Sequence, residues 1–448
     1  MGRVYIVHHV DTEGPLFEPR EELFGRLKGI FNIDVEPRED ILVRLRNKEI
    51  DLQGKEDEVA LAVAPHMIDF KGSWQEIDHM LGRIMSASFR NRLLDSEGNG
   101  WVYNWHCMDH VGFKNNPRKR DLGYFKIFDF YQEKIKGPSS SRDAIHWHFH
   151  PINFAGDAHL AATSYNNSMN SLLQSITRRV LERNWFTCVN RAGFHAERPD
   201  SHLFLEQWLP FDASNQSVGA ENEPKHQLDL AGGRFGDWRW APQDWTIYHP
   251  SHDNYQLPGD CRRSIARVLN LKSRHRSISA AEIEKAFRRA AVGEDVYLGI
   301  ADHDWREMSV EVDEFRDMLQ NVIARHPDVQ YYFSDALTAF RSILYPHLNT
   351  ERNKIDFNVS IQRAQGHATL QVEITNGALF GPQPWLAITT KEGKYLTDNF
   401  DVNVPSRRYS YVFDCQTVGI EGIEAVAVAS NDKYGYQKIV KLSKGKDF

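Results

Sequence analysis

Cysteine is scarce in this chain: four residues in 448, at positions 107, 188, 261 and 415, with no Cys-x-x-Cys spacing. That excludes a disulfide framework and a thiolate metal knot, and the four read as free thiols that mostly fill the core. Also missing is any apolar run long enough to cross a membrane, which excludes a transmembrane span. Positive charge is not in excess either, since 54 Lys and Arg stand against 61 Asp and Glu, for a formal net charge of -7. Without a basic stripe, a nucleic-acid partner is not expected. The apolar segment at the N-terminus is too short for a signal peptide and leads straight into a strand, so a cytoplasmic location is the expectation. In contrast, histidine is plentiful at 20 residues, beside 11 Trp and 16 Tyr. The oligomeric state is not legible here.

The length allows two or three domains. Val4 to Val7 reads as a buried strand, and a charged stretch from about 18 to 58 reads as a solvated excursion. Leu61-Ala62-Val63-Ala64 reads as a second strand. Ser73 and Glu76 form a capping box before a helix carrying Ile77, Met80, Leu81 and Ile84. Strands around 101–103, 144–149, 186–189, 296–301 and 329–333 alternate with further amphipathic helices. This alternation predicts a parallel sheet closed into an α/β barrel. Beyond a boundary near 345–353 the pattern changes to short alternating runs broken by Gly and Asn, which predicts a C-terminal β-sandwich of immunoglobulin-like size. The expected domains are 1–347 and 353–448.

Carboxylates and histidines gather where these strands end, which is where α/β enzymes keep their chemistry. "HHVDTEGP" places Asp11 and Glu13 just past the first strand. "IHWHFHP" sets His146, His148 and His150 at alternate positions, and two chelating geometries are open. An extended run lets a pair two apart share a metal; a helical turn would bring His146 and His150 together and point His148 elsewhere. Arg191 follows an apolar strand and could hold a carboxylate ionised. Asp302, His303 and Asp304 follow another. In "NWHCMDHVGFKNNPRKRDLGY", Asp109 is a candidate to orient a ligand histidine. Trp238 and Trp240 are candidates to stack on a sugar.

The order DTEG, HWHFHP, NRAGF, ADHDW resembles the polysaccharide deacetylase family, also called NodB-homology or carbohydrate esterase family 4 proteins. The resemblance covers roughly residues 1 to 340, with a long insertion between the first two motifs. It implies a distorted (β/α) barrel and one divalent metal, usually zinc, used to hydrolyse acetyl groups from sugars. It further implies Asp11 as general base and Glu13, His146 and His150 as metal ligands. Arg191 would support the base, and His303, kept protonated by an acid such as Asp304, would protonate the leaving group. Thr12 separates the two acids, which are adjacent in the common motif, so the base and ligand roles of Asp11 and Glu13 stay interchangeable. An acylated amino sugar or saccharide intermediate for surface polysaccharide is the expected substrate. Two other readings stay open: an amidohydrolase-type metal hydrolase using His-x-His with Asp302, and a non-catalytic, metal-containing carbohydrate-binding protein.

Overall fold

The computed structural model describes residues 2–445; Met1 and residues 446–448, which the expected domain bounds include, lie outside the described residues. Eight parallel strands form one sheet: β1 (Arg3–Thr12), β2 (Tyr103–Met108), β3 (Ala144–Phe149), β4 (Val189–Ala192), β5 (Phe211–Asn215), β6 (Ser264–Asn270), β7 (Val296–His303) and β8 (Gln330–Phe333). The first seven close a barrel, because β1 pairs with β7 on one side and, through His8–Thr12, with β2 on the other. The start of β1, Arg3–Ile6, pairs instead with β8. β1 therefore has neighbours along its whole length and is buried from Val4 onward.

Helices pack outside the strands. Ser73 caps the helix Trp74–Ile84 by accepting from the Glu76 amide, and Ile77, Met80, Leu81 and Ile84 face inward, as the capping box predicts. Ser279 does the same for Ala280–Ala291, which buries Ile283, Ala286, Phe287 and Ala290. These stripes join the β1 and β7 side chains in the largest apolar cluster.

Two expectations need correction. Leu61–Ala64 is not a strand: Glu56–Ala62 and Pro65–Ile68 are helices, and four apolar residues alone do not separate the two conformations. The charged stretch is not a bare excursion, since Arg20–Phe31 and Glu39–Arg46 are helices that close over a small core of their own with Leu23, Leu27, Leu42, Leu45 and Val59. Strands β5 and β6 carry no sequence expectation, because Asp212, Ser214, Asn215 and Arg267 interrupt their apolar pattern while remaining buried.

The C-terminal part has two four-stranded antiparallel sheets facing each other. One runs β13 (Asp401–Val404), β14 (Arg408–Phe413), β10 (His367–Asn376), β9 (Asp356–Ala364); the other runs β12 (Tyr395–Leu396), β11 (Trp385–Thr390), β15 (Ile423–Asn431), β16 (Gln437–Ser443). Alternating residues such as Leu370, Val372, Ile388 and Val426 fill the space between them. Trp385 anchors this sandwich to the barrel by packing on Phe186, Phe204 and Trp208. Asn431 donates to the carbonyls of Thr187 and Trp208 at 2.6 and 2.7 Å.

Candidate metal centre

β3 stays extended through Phe149, so its alternate residues share the barrel interior. His148 and His150 stand at the carboxyl end with their Nε2 atoms 2.9 Å apart. Glu13, just past β1, brings Oε1 to 3.8 Å from His148 Nε2 and 3.4 Å from His150 Nε2. A tetrahedral metal with bonds of 2.0–2.1 Å separates its ligand atoms by roughly 3.3 Å. The three edges bracket that value, and the three atoms form a group able to hold one metal ion.

The donor chemistry fits as well. His148 Nδ1 donates to the Arg191 carbonyl at 2.7 Å, which fixes the tautomer and leaves Nε2 with a lone pair aimed at the other two donors. His150 Nδ1 is buried without a partner. Its ring is held by Phe194 at 4.5 Å and by Gly193, where an added Cβ would lie 2.0 Å from the ring. Phe194 and His195 both have φ near 51°, so the chain pays backbone strain to lay this loop against the ring.

Arginines grip the acids from behind. Arg120 Nη2 donates to Glu13 Oε2 at 2.6 Å, leaving Oε1 for the histidines. Arg191 Nε donates to Asp11 Oδ1 at 2.6 Å, and the pair is almost fully buried. Burial opposes ionisation of both acids, but Arg191, His148 and His303 together outweigh it at Asp11, and Arg120, His150 and His148 together at Glu13, so both are held below the usual carboxylate range. At His148 burial pulls the pKa down, and Asp11 with Glu13 reverses the shift, raising it. His303 completes the group, with Nε2 3.7 Å from Asp11 Oδ2 and 4.0 Å from Glu13 Oε1. Burial pushes it down to about 4, only partly opposed by those two acids.

The structure thus brings together Asp11, Glu13, His148, His150, Arg191 and His303, and moves six expected residues elsewhere. His146 is not grouped with Glu13. It lies two residues deeper on the extended strand, donating from Nε2 to Asn104 Oδ1 at 3.0 Å beside the His9–His106 pair. The turned His146/His150 arrangement is therefore replaced by the His148/His150 pair. Asp109 does not orient a ligand histidine; it accepts from Arg179 at 3.0 Å. Asp304 is turned away from His303 and accepts from the Glu13 and Gly14 amides and Tyr131, holding the turn after β1. Gly14 takes φ 71°, which the turn requires. Trp238 is buried, with its indole N–H donating to the His195 carbonyl, and Trp240 is exposed; neither lines the cleft. The indole at the cleft is Trp305, 4.7 Å from His303. Asp302 accepts from the His303 amide and faces Arg306, outside the metal group.

Arg120 is the functional residue that sequence reasoning misses. It lies in the run Arg118-Lys119-Arg120, which reads as a solvated loop, and only burial of the Glu13 carboxylate beside it distinguishes it. The cleft above the site measures about 240 Å³ and is lined in part by Leu16, Arg26, Met67 and Phe70 from the inserted segment. Among the described residues, none of the sandwich lines it, and no helix is long and apolar enough to cross a membrane. Set against protein-family models, curated proteins and solved structures, the chain matches none, so the geometry of this centre alone carries the functional reading.

Proposed function

We propose that the chain is a metal-dependent hydrolase of the polysaccharide deacetylase type that removes an acetyl or formyl group from an amino sugar or saccharide intermediate, of the kind surface-polysaccharide biosynthesis uses. The observation that carries this reading is the convergence of Glu13 Oε1, His148 Nε2 and His150 Nε2 beside the buried Asp11–Arg191 pair. Those three residues would hold one divalent metal, best matched by zinc, which when bound supplies Lewis-acid polarisation of the acyl oxygen and acidifies water.

The chain's own groups do the rest. Asp11, kept ionised and oriented by Arg191, accepts the proton of the attacking water. His303 enters neutral and lies 3.7 Å from Asp11 Oδ2, so the proton that Asp11 collects can pass through it to the amine as the C–N bond breaks. The His-x-His pair also suits an amidohydrolase-type site, and its use of His148 favours that second reading; the placement of Asp302 outside the group speaks against it.

The test is metal content by mass spectrometry on protein purified without chelator, followed by release of acetate or formate from a panel of acylated amino sugars. Wild type should hold about one zinc-like ion per chain, lost in Glu13→Ala, His148→Ala and His150→Ala. A wild type that holds no metal after supplementation and dialysis overturns the proposal, and metal with saturable binding but no turnover supports the non-catalytic reading instead.

A further inference from the structure

The cleft is charged in a way the deacylation chemistry does not need. Seven arginine or lysine side chains line it against three carboxylates, of which Asp11 and Glu13 belong to the centre itself. Most of these cations already have a carboxylate partner: Arg274 with Asp229 at the cleft itself, and Arg276 with Glu223, Arg306 with Glu311 and Lys272 with Glu314 outside it. Arg26 and Arg118 differ. Both reach the same carboxylate, Glu18, with Arg26 donating through Nε and Nη2 at 2.9 Å and Arg118 Nη2 standing 2.9 Å from Oε1. Two guanidiniums therefore share one buried acid, and the further carboxylate acting on Arg118 is the partly exposed Glu22, so their positive charge is countered mainly from one side.

Their hydrogen-bonding capacity is also unspent. Arg118 Nε, Arg120 Nε and His159 Nδ1 are buried without partners, and all three residues line the same cavity. Arg120 connects these donors to the metal centre, since its Nη2 holds Glu13. Paired guanidiniums suit a phosphoryl group, which carries more negative charge and more acceptor oxygens than a carboxylate, and they have no counterpart on a neutral sugar.

Resting on the hydrolase reading above, we infer that the substrate is a phosphorylated saccharide, with the phosphoryl group seated on the Arg26–Arg118 wall and the acyl group at Glu13, His148 and His150. The phosphoryl group can come from a sugar phosphate, a nucleotide-linked sugar or a lipid-linked sugar, and the same wall would take each.

The experiment is titration of inorganic phosphate into the full chain by calorimetry, with His148→Ala run in parallel to separate arginine-wall binding from binding at the metal. Phosphate should bind wild type and His148→Ala alike, and Arg118→Gln should weaken it by about tenfold or more while leaving the metal content unchanged. Arg26→Gln, on a half-buried helix position, serves if Arg118→Gln does not fold. On substrates, an acylated amino sugar 1-phosphate should be preferred over the same sugar without phosphate, and Arg118→Gln should raise KM for the phosphorylated one alone. Nucleotide- and lipid-linked versions then identify the source. Equal phosphate affinity in wild type and the arginine variants, or none in wild type, overturns the inference. Metal without phosphate binding leaves the hydrolase reading standing; phosphate binding without metal leaves the anion site standing and removes the hydrolase.

Discussion

At the barrel mouth Glu13, His148 and His150 face one another; on the same barrel His202, Glu206 and Cys261 also come within coordinating reach. The second group already contains its cation. Arg263, fully buried, places Nη1 2.9 Å from His202 Nδ1 and 3.0 Å from Glu206 Oε1, and Nη2 2.7 Å from Glu197. At the mouth, arginines of the same kind hold the outer oxygens of the acids, Oε2 of Glu13 and Oδ1 of Asp11, and leave the inner ones open. Proximity of donors is common to both places. What differs is whether the guanidinium fills the centre or braces it from behind, and only the second arrangement leaves work for a metal.

The largest effect that would sharpen this contrast is removal of an inner donor. His150→Ala should abolish metal retention and hydrolysis together, whereas Asp11→Asn should keep the metal and lose about 10²–10⁴ in kcat, read by coupled metal analysis and kinetics. If both variants lose the metal, Asp11 is a ligand and the division of roles is wrong. Next comes Arg263→Met, which strips the counter-charge from Glu197, Asp212 and Glu206 and should cost about 3–5 kcal/mol in denaturant unfolding. Its metal content at the mouth should not change; extra metal bound by this variant would mean that the second group is a latent site.

A smaller effect is expected at Gly193→Ala, where the new Cβ must displace the His150 ring. Metal affinity should fall about 10–100-fold, as for outer groups that orient a ligand, with little loss of fold. The smallest is His146→Ala. Its partner Asn104 Oδ1 still accepts from the Ala336 amide at 2.7 Å, so metal content should match wild type. Loss of the metal there would restore His146 as a ligand.

Much of the barrel was readable because local signals agreed with the fold. β3 is Ala144–Phe149 as expected, and the Ser73 and Ser279 caps start their helices. β5 and β6 were not readable, since Asp212 and Arg267 belong to no amphipathic pattern and are accepted inside only because Arg263, beside the neighbouring strand, and Glu282, on the helix Ala280–Ala291, pair with them. The choice among three histidines was equally out of reach. Alternation puts all three on one face, but at strand rise each step of two residues is about 6–7 Å, so His146 falls a layer below the mouth.

The sequence by itself determined the chemical inventory at the strand ends, Asp11, Glu13, His146, His148, His150, Arg191, Asp302, His303 and Asp304, and the alternation that aims the histidines to one side, but not which of these residues meet. Periodicity and capping are local, so they survive without knowledge of neighbours. Closure of the barrel decided which histidine reaches the acids, and burial decided that Arg120, from a loop that reads as solvent-exposed, braces Glu13. Both outcomes depend on contacts between residues about a hundred positions apart, and charge pairing of that kind leaves no periodic trace along the chain.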